Sequence, residues 1–517
     1  MTRRGPANET RRETTAQSLA ALIKSARDIM RKDKGLSGDL DRLPMLTWVM
    51  FLKFLDDLEK QREEEAAIAG SRFRAAIESP YRWRDWAADP QGVTGNELLA
   101  FISQDECVLP NGKRGAGLFA YLRQLTGDNG DSRRDVVATV FRGVDNRMRS
   151  GYLLRDVINK VGDIHFTASE DLHTLGALYE SMLREMRDAA GDSGEFYTPR
   201  PLVRFMVQAI DPHLGETVLD PACGTGGFLV EAYKHLMAQV KTVEDLKILQ
   251  DESIFGGEPK PLPYLLCQMN LLLHGVDSPQ IDPGNSLRFK LSEIGEKERV
   301  QIILTNPPFG GEEEKGIQAN FPEDRQSSET ALLFLQLIMR KLRRHNQTGF
   351  PPARAAVVVP NGTLFGDGIS ARIKQELLTE FNLHTIIRLP VGVFAPYTAI
   401  PTNVLFFDRS GPTAFVWYYE HALPTGRKTY TKTQPLQFEE FLPCLKWWTS
   451  REENDRAWRV SAAELLENGC NLDRKNPRSK ADFEHLAPAQ LLTDLAERER
   501  QIARVISDIN GLIGAGR

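Results

Sequence analysis

The tetrapeptide Asn306-Pro307-Pro308-Phe309 follows the apolar run Ile302-Ile303-Leu304 with one residue, Thr305, between. Consecutive prolines stop a strand, fix the backbone and remove N–H donors, so the carbonyls beside them are available as acceptors. That arrangement suits one difficult reaction. The lone pair of an aryl amine is delocalised into its ring, which makes the nitrogen a poor nucleophile. Acceptors aimed at its hydrogens, the side-chain oxygen of Asn306 and the carbonyl of Pro307, can draw the nitrogen toward tetrahedral geometry and point its lone pair at an electrophilic methyl group. Phe309 adds a face on which an extruded base can stack, as enzymes that modify bases require. No strong general base is needed, because the amine becomes acidic only once methylated. The amines of adenine, cytosine and RNA guanine and the amide of protein glutamine pose the same demand, so the tetrapeptide alone leaves all of them open.

A second cluster reads as a cofactor site. Asp220-Pro221-Ala222-Cys223-Gly224-Thr225-Gly226-Gly227 follows a short apolar run and precedes a helical stretch beginning near Phe228. Glycines let the backbone come close to a ligand and permit positive φ, and the N–H groups of the following helix start can hold a carboxylate. The spacing is not the Gly-x-Gly-x-x-Gly of a dinucleotide turn, so S-adenosylmethionine is expected rather than NAD. Downstream, residues 254–257 form a second strand ending at Glu258, an acid placed to accept hydrogen bonds from ribose hydroxyls. Asn285 lies in a turn after a third strand, where it could contact the cofactor's adenine ring. Upstream, Tyr197-Thr198-Pro199 leads into a helix over 202–210; taken alone it is a helix start. Cys223 is a small filler of a tight turn and His274 the end of a helix.

The elements that must hold these residues alternate as in a βαβ sheet. Strands are predicted over 217–220, 300–305, 355–359, 385–389 and 402–408, with helices over 264–274, 328–344 and 369–381. Ahead of them, residues 15–168 are mostly helical, after a disordered tail over 1–14. Pro44 sits where a helix could begin, and the charged run to Glu65 is a solvated face of it. An amphipathic helix is predicted over 172–186, followed by a loop over 188–194. The catalytic domain then spans 169–410. An irregular extension covers 411–487, and residues 488–517 hold a C-terminal helix whose apolar stripe (Leu491, Leu492, Leu495, Ile502, Val505, Ile506, Ile509) is near heptad spacing and suits docking on a partner's helices. The loop 310–325 is long and acidic, a poor face for phosphates, and is expected to move when nucleic acid binds.

Composition sets bounds. The chain of 517 residues is long enough for several domains. Its 65 basic and 70 acidic residues give a formal net charge of -5, without the basic excess of a self-sufficient DNA-binding protein. Either the basic residues cluster or another chain supplies much of the grip. The five cysteines are widely spaced with no Cys-x-x-Cys pair, which argues against a disulfide framework and a zinc site; no metal is expected. The start lacks a signal peptide's apolar core and no apolar run is long enough to span a bilayer. A cytoplasmic protein with no membrane segment is the expectation.

Tyr197-Thr198-Pro199, Asp220 to Gly227, Glu258-Pro259 and Asn306 to Phe309 stand in the order of the N6-adenine DNA methyltransferases, and the chain resembles most closely the modification subunit of type I restriction–modification systems. Gly194-Glu195-Phe196-Tyr197-Thr198-Pro199 looks like that subunit's pre-sheet motif. Residues 359–365 and 389–394 look like its later strands and loops, and residues 18–57 are similar to its N-terminal helical domain. The resemblance implies a class I S-adenosylmethionine-dependent methyltransferase, an α/β fold with a Rossmann-like seven-stranded sheet ending in an antiparallel hairpin. It adds Glu195, Tyr197, Thr198 and Pro199 to the cofactor site formed by Asp220, Pro221, Gly224, Thr225, Gly226, Gly227, Glu258 and Asn285. At the position of Asn285 the family commonly carries an acid. The implied partners are DNA, a specificity subunit that reads the sequence, a second copy of the methyltransferase subunit and a restriction (nuclease-translocase) subunit. A non-catalytic assembly subunit is the reading from another class; loss of Asn306 or the glycines would signal it, and both are intact.

Overall fold

The computed structural model describes residues 16–127, 132–164, 198–344, 348–395, 398, 400–431, 433–478 and 499–500. The N-terminal region packs helices Ala16–Met30, Asp39–Ile68, Trp83–Trp86, Gly95–Ser103, Leu118–Arg123, Ser132–Arg142 and Gly151–Gly162 around one apolar core. Helix Gly151–Gly162 shows why they form. Leu154, Val157, Ile158 and Val161 fall at helical spacing and are all buried, and the Ser150 hydroxyl accepts from Leu153 N–H at 3.3 Å to cap the first turn. The helical expectation needs two corrections. Pro44 lies inside helix Asp39–Ile68, which begins at the preceding turn with Gly38 as its cap. A short antiparallel hairpin, β1 (Glu106–Val108) and β2 (Arg114–Ala116), also interrupts the helices. The charged stretch before Glu65 is not wholly solvated. Glu59 is buried and accepts from Ala76 N–H at 2.6 Å, and Asp56 pairs with Arg84 at 2.9 Å.

Beyond residue 198 the chain builds a mixed sheet of nine strands. They are β3 (Val218–Asp220), β4 (Ile254–Gly257), β5 (Gln280–Asp282), β6 (Ile302–Thr305), β7 (Arg354–Pro360), β8 (Asn382–Arg388), β9 (Thr402–Asp408), β10 (Phe415–Glu420) and β11 (Ala457–Ser461). Their order is β11-β10-β8-β9-β7-β6-β3-β4-β5. β9 runs antiparallel to both β7 and β8, β11 antiparallel to β10, and the other neighbours are parallel. The strands read from the sequence are all present, and β3 to β9 make up the expected seven. β10 and β11 extend the sheet through the stretch expected to be irregular.

Both faces of the central strands are covered, which is why they read as unbroken apolar runs. Side chains alternate between two cores: Ile302, Leu304, Ala356 and Val358 face one, Ile303, Ala355, Val357 and Val359 the other. Helices Arg200–Ile210, Gly227–Met237 and Pro261–Leu273 cover the first face; Thr330–Lys341 and Ile369–Glu380 cover the second. β7 opens on Arg354, whose guanidinium meets both oxygens of the fully buried Glu216 at 2.6 and 2.8 Å and donates to the Ile210 and Asp211 carbonyls, each at 2.8 Å.

The two regions meet on helix Pro261–Leu273. Its Leu265, Leu266, Met269 and Leu272 are buried in the N-terminal core while Tyr264, Cys267 and Leu271 belong to the sheet core. Each such buried Leu or Met stabilises the contact by roughly 1.5–3 kcal/mol, and Arg62 forms an ion pair with Asp277 beside it. The acidic segment 310–325 is folded against the turns at 286–294 and helices Thr330–Lys341 and Ile369–Glu380. It contains helix Lys315–Gln318, buries Phe321 against Leu287 and Leu291, and donates from Asn320 to the Leu287 carbonyl at 3.0 Å. The helix expected over 172–186, the loop over 188–194 and, apart from Glu499 and Arg500, the C-terminal helix lie outside the described residues. Among the described residues no helix is long and apolar enough to cross a membrane.

Candidate active site

From β3 the chain runs outward to β4 and β5, then returns past β3 to β6. The order of strands thus reverses between β3 and β6 because the connections leave in opposite directions, and it is at the carboxyl ends of such a point that open α/β sheets bind their ligands. β3 ends in Asp220 and β6 in Thr305, both buried. Thr305 Oγ1 donates to Asp220 Oδ1 at 2.6 Å, and Ala222 N–H donates to the same oxygen at 3.1 Å. Burial pushes the Asp220 carboxyl up to about 7 against the pull of these two donors. The hydrogen bond to Thr305 locks the start of the glycine-rich turn to the residue that precedes Asn306.

The turn is held on every side. Cys223 N–H donates to the Gly257 carbonyl at 3.0 Å, Asn270 Nδ2 to the Thr225 carbonyl at 2.8 Å, and Ser286 Oγ to the Pro221 carbonyl at 2.6 Å. Gly224 and Gly226 both have positive φ, at 53° and 78°, but for different ends. A Cβ on Gly226 would fall 2.8 Å from Cys267 Sγ, so packing requires glycine there. A Cβ on Gly224 would meet nothing within 4 Å; its backbone faces open space, which is what close approach of a ligand needs. Gly227 begins helix Gly227–Met237, where a side chain would collide with the Arg200 guanidinium. Cys223 and Cys267 are free thiols 3.7 Å apart, and their contact together with burial raises the Cys223 thiol well above its usual range.

Glu258 follows β4 and lies against the same turn. Gly224 N–H donates to its Oε2 at 3.0 Å and Lys260 N–H to its Oε1 at 2.9 Å. With only 8% of the residue exposed, burial raises its carboxyl to about 7, and the charge of Asp220 adds to the rise. Asn285 lies in the turn after β5. Its Oδ1 accepts from Leu287 N–H at 2.9 Å, capping a short 3-10 turn whose Ser286 reaches Pro221.

The Asn306 side chain donates from Nδ2 to Thr198 Oγ1 at 2.9 Å. Pro307 is buried and Pro308 exposed. The half-buried Phe309 meets Phe394 edge to face, ring centres 5.7 Å apart and planes at 81°. Pro199 caps helix Arg200–Ile210, its carbonyl accepting from Leu202 and Val203. Thus Thr198 reaches the Asn306 loop, while Asp220, Pro221, Gly224 to Gly227 and Glu258 converge on one turn. Glu195 and Tyr197 lie outside the described residues. Sequence reasoning passed over Thr305, Asn270 and Cys267. The first two are polar residues within apolar runs, a signal that buried side-chain hydrogen bonds are needed; Cys267 carried none.

Two family models match the chain, the N-6 DNA methylase over residues 170–485 and the HsdM N-terminal domain over residues 19–161. The EcoEI type I restriction enzyme methylase subunit of Escherichia coli is 46% identical over 508 residues, covering 96% of this chain and 98% of the relative. Among solved structures, a modification subunit assigned to a type I restriction enzyme from Vibrio vulnificus YJ016 is 68% identical with a TM-score of 0.86, over 90% of this chain and 98% of that one. A chain from a structure of complex assembly and conformational transition in the type I restriction–modification system is 39% identical with a TM-score of 0.73, over 98% of this chain and 100% of that one. Fold, motif order and near full-length similarity agree, and the chain belongs to the N-6 DNA methylase family, among the methylase subunits of type I restriction enzymes.

Proposed function

We propose that this chain transfers a methyl group from S-adenosylmethionine to N6 of adenine in a specific DNA sequence, as the modification subunit of a type I restriction–modification complex that protects host DNA in the cytoplasm. The observation that carries the reading is the joining of two motifs at the carboxyl ends of β3 and β6. Asn306 follows Thr305, and Thr305 is hydrogen-bonded to Asp220 at the start of the glycine-rich turn. The residues fit the cofactor: open space before Gly224, a helix start at Gly227 and a buried acid at Glu258. When bound, S-adenosylmethionine supplies an electrophilic methyl group on a sulfonium. The Gly224 N–H is held by Glu258 and the Gly226 N–H by the Cys223 carbonyl, so the backbone N–H groups of Thr225 and Gly227 at the helix start would hold its carboxylate, and Glu258 would accept from its ribose hydroxyls. Asn306 Oδ1 and the Pro307 carbonyl would accept the hydrogens of the adenine amine and turn its lone pair outward. Phe309 would stack the extruded base.

The partners of this reading are those the family resemblance implies, DNA, a specificity subunit, a second copy of the methylase subunit and a restriction subunit, and similarity to a type I methylase subunit and to a chain from a type I complex assembly supports them. The net charge of -5 agrees with a grip on DNA shared among chains. The test is transfer of a labelled methyl group to DNA by the chain alone and together with its specificity subunit, followed by digestion to nucleosides. N6-methyladenine formed only with the partner supports reaction and subunit role together. Label from the chain alone keeps the chemistry and removes the dependence, and no label under either condition, with cofactor still bound, rejects DNA as the substrate.

A further inference from the structure

We infer that Thr198 is a positioning residue for methyl transfer, its hydroxyl holding the plane in which the Asn306 amide meets the substrate amine. The inference rests on the reading of Asn306 as acceptor. A carboxamide has an oxygen edge and an NH2 edge of nearly equal shape, and a half-turn of the side chain exchanges them. Only the oxygen edge can accept from an amine; the reversed amide would set N–H against N–H. A site built on this chemistry therefore needs the amide held in one plane with its NH2 edge engaged, and Thr198 Oγ1 accepts from Asn306 Nδ2 at 2.9 Å.

Both partners of this bond stand on fixed frames. On one side, the backbone before Asn306 is tied to β3 by the Thr305–Asp220 bond at 2.6 Å. On the other, Pro199 caps helix Arg200–Ile210, and Arg200 lies against the helix start at Gly227. The contact joins residues 108 apart in the chain, so neither local sequence nor helix capping accounts for it. It also gives Thr198 a role different from the cofactor contact expected from the sequence. A cofactor ligand changes binding of the cofactor, whereas a group that orients Asn306 changes the rate once cofactor and DNA are bound.

The test compares Thr198→Val, which keeps the shape and loses the hydroxyl, with Thr198→Ser, which keeps the hydroxyl. Each is measured as the full chain with its specificity subunit, at saturating S-adenosylmethionine, on unmodified plasmid DNA carrying the complex's site. Single-turnover formation of N6-methyladenine gives the rate, and calorimetry with S-adenosylhomocysteine gives the Kd. The expected result is a rate about tenfold lower for Thr198→Val, the worth of one hydrogen bond in the transition state, with Kd within about twofold of the parent. Thr198→Ser should restore the rate. An unchanged rate in Thr198→Val overturns the inference. So does a loss matched by a weaker Kd and recovered with more cofactor, or a Thr198→Ser variant as slow as Thr198→Val. A parent complex that forms no N6-methyladenine sinks the functional reading itself, which separates the two failures.

Discussion

Cofactor affinity should depend on pH through Glu258. Burial at the end of β4 raises its carboxyl to about 7, against an ordinary value of 4.5, so near neutral pH a large share of the empty folded protein carries a proton there. A group that accepts hydrogen bonds from ribose hydroxyls does so as a carboxylate. Below its folded pKa, binding must therefore expel that proton, and each pH unit costs about 1.4 kcal/mol, a factor of about ten in affinity. At about pH 6 roughly one molecule in ten is already ionised, so the apparent Kd for S-adenosylhomocysteine should be about tenfold weaker than its plateau above about pH 8. Calorimetry in buffers of different ionisation enthalpy counts the protons: close to one released per cofactor at the acid end, close to none at the alkaline end. Glu258→Gln should flatten the profile and weaken binding at alkaline pH. A parent Kd that does not change with pH would refute the reasoning. So would an undiminished slope in Glu258→Gln, which would move the effect to Asp220, also raised to about 7.

Asn306→Ala should abolish methyl transfer and leave the Kd for S-adenosylhomocysteine near that of the parent; appreciable transfer in the labelled-methyl assay would remove its proposed role. Gly224→Val places a branched side chain at φ 53° in the open space before the turn, so cofactor binding should weaken by at least about tenfold, a loss of more than about 1.4 kcal/mol. Unchanged binding in a titration would count against the turn as the cofactor's cradle. Arg354→Met strands the fully buried Glu216 without its bidentate partner and should cost about 3–5 kcal/mol of stability, read by chemical denaturation; a loss under about 1 kcal/mol would show that the pair contributes little.

What was legible in the sequence was local. Consecutive prolines after Ile302-Ile303-Leu304, and the glycines after Val218-Leu219, carry their meaning within about ten residues, and the strands they end fell within a few residues of the expected places. β10 and β11 escaped because aromatics replace the usual signals. In Phe415–Glu420, Val416 and Tyr418 face one core and Trp417 and Tyr419 pack on the other, so no polar alternation marks the strand. Pro44 misled for a different reason: a helix whose next turns, Met45 to Leu55, are largely buried tolerates the single hydrogen bond it removes near its start. The contacts that assemble the site were beyond reach altogether. Thr198 with Asn306, Asp220 with Thr305 and Glu258 with Gly224 bring together residues from separate elements, and only the closed sheet decides which ends are neighbours.

Helix Pro261–Leu273 is a rod with two owners, because its side chains are shared between the N-terminal core and the sheet core. At three points it also touches the cofactor turn: Lys260, its cap, holds Glu258, Cys267 backs Gly226, and Asn270 grips the Thr225 carbonyl. A rigid rod cannot follow a tilt of the helical region without pulling on these points. Any partner that shifts the N-terminal helices therefore retunes the fit of the methyl donor, and a filled turn in its turn stiffens those helices, since coupling between two sites runs equally in both directions.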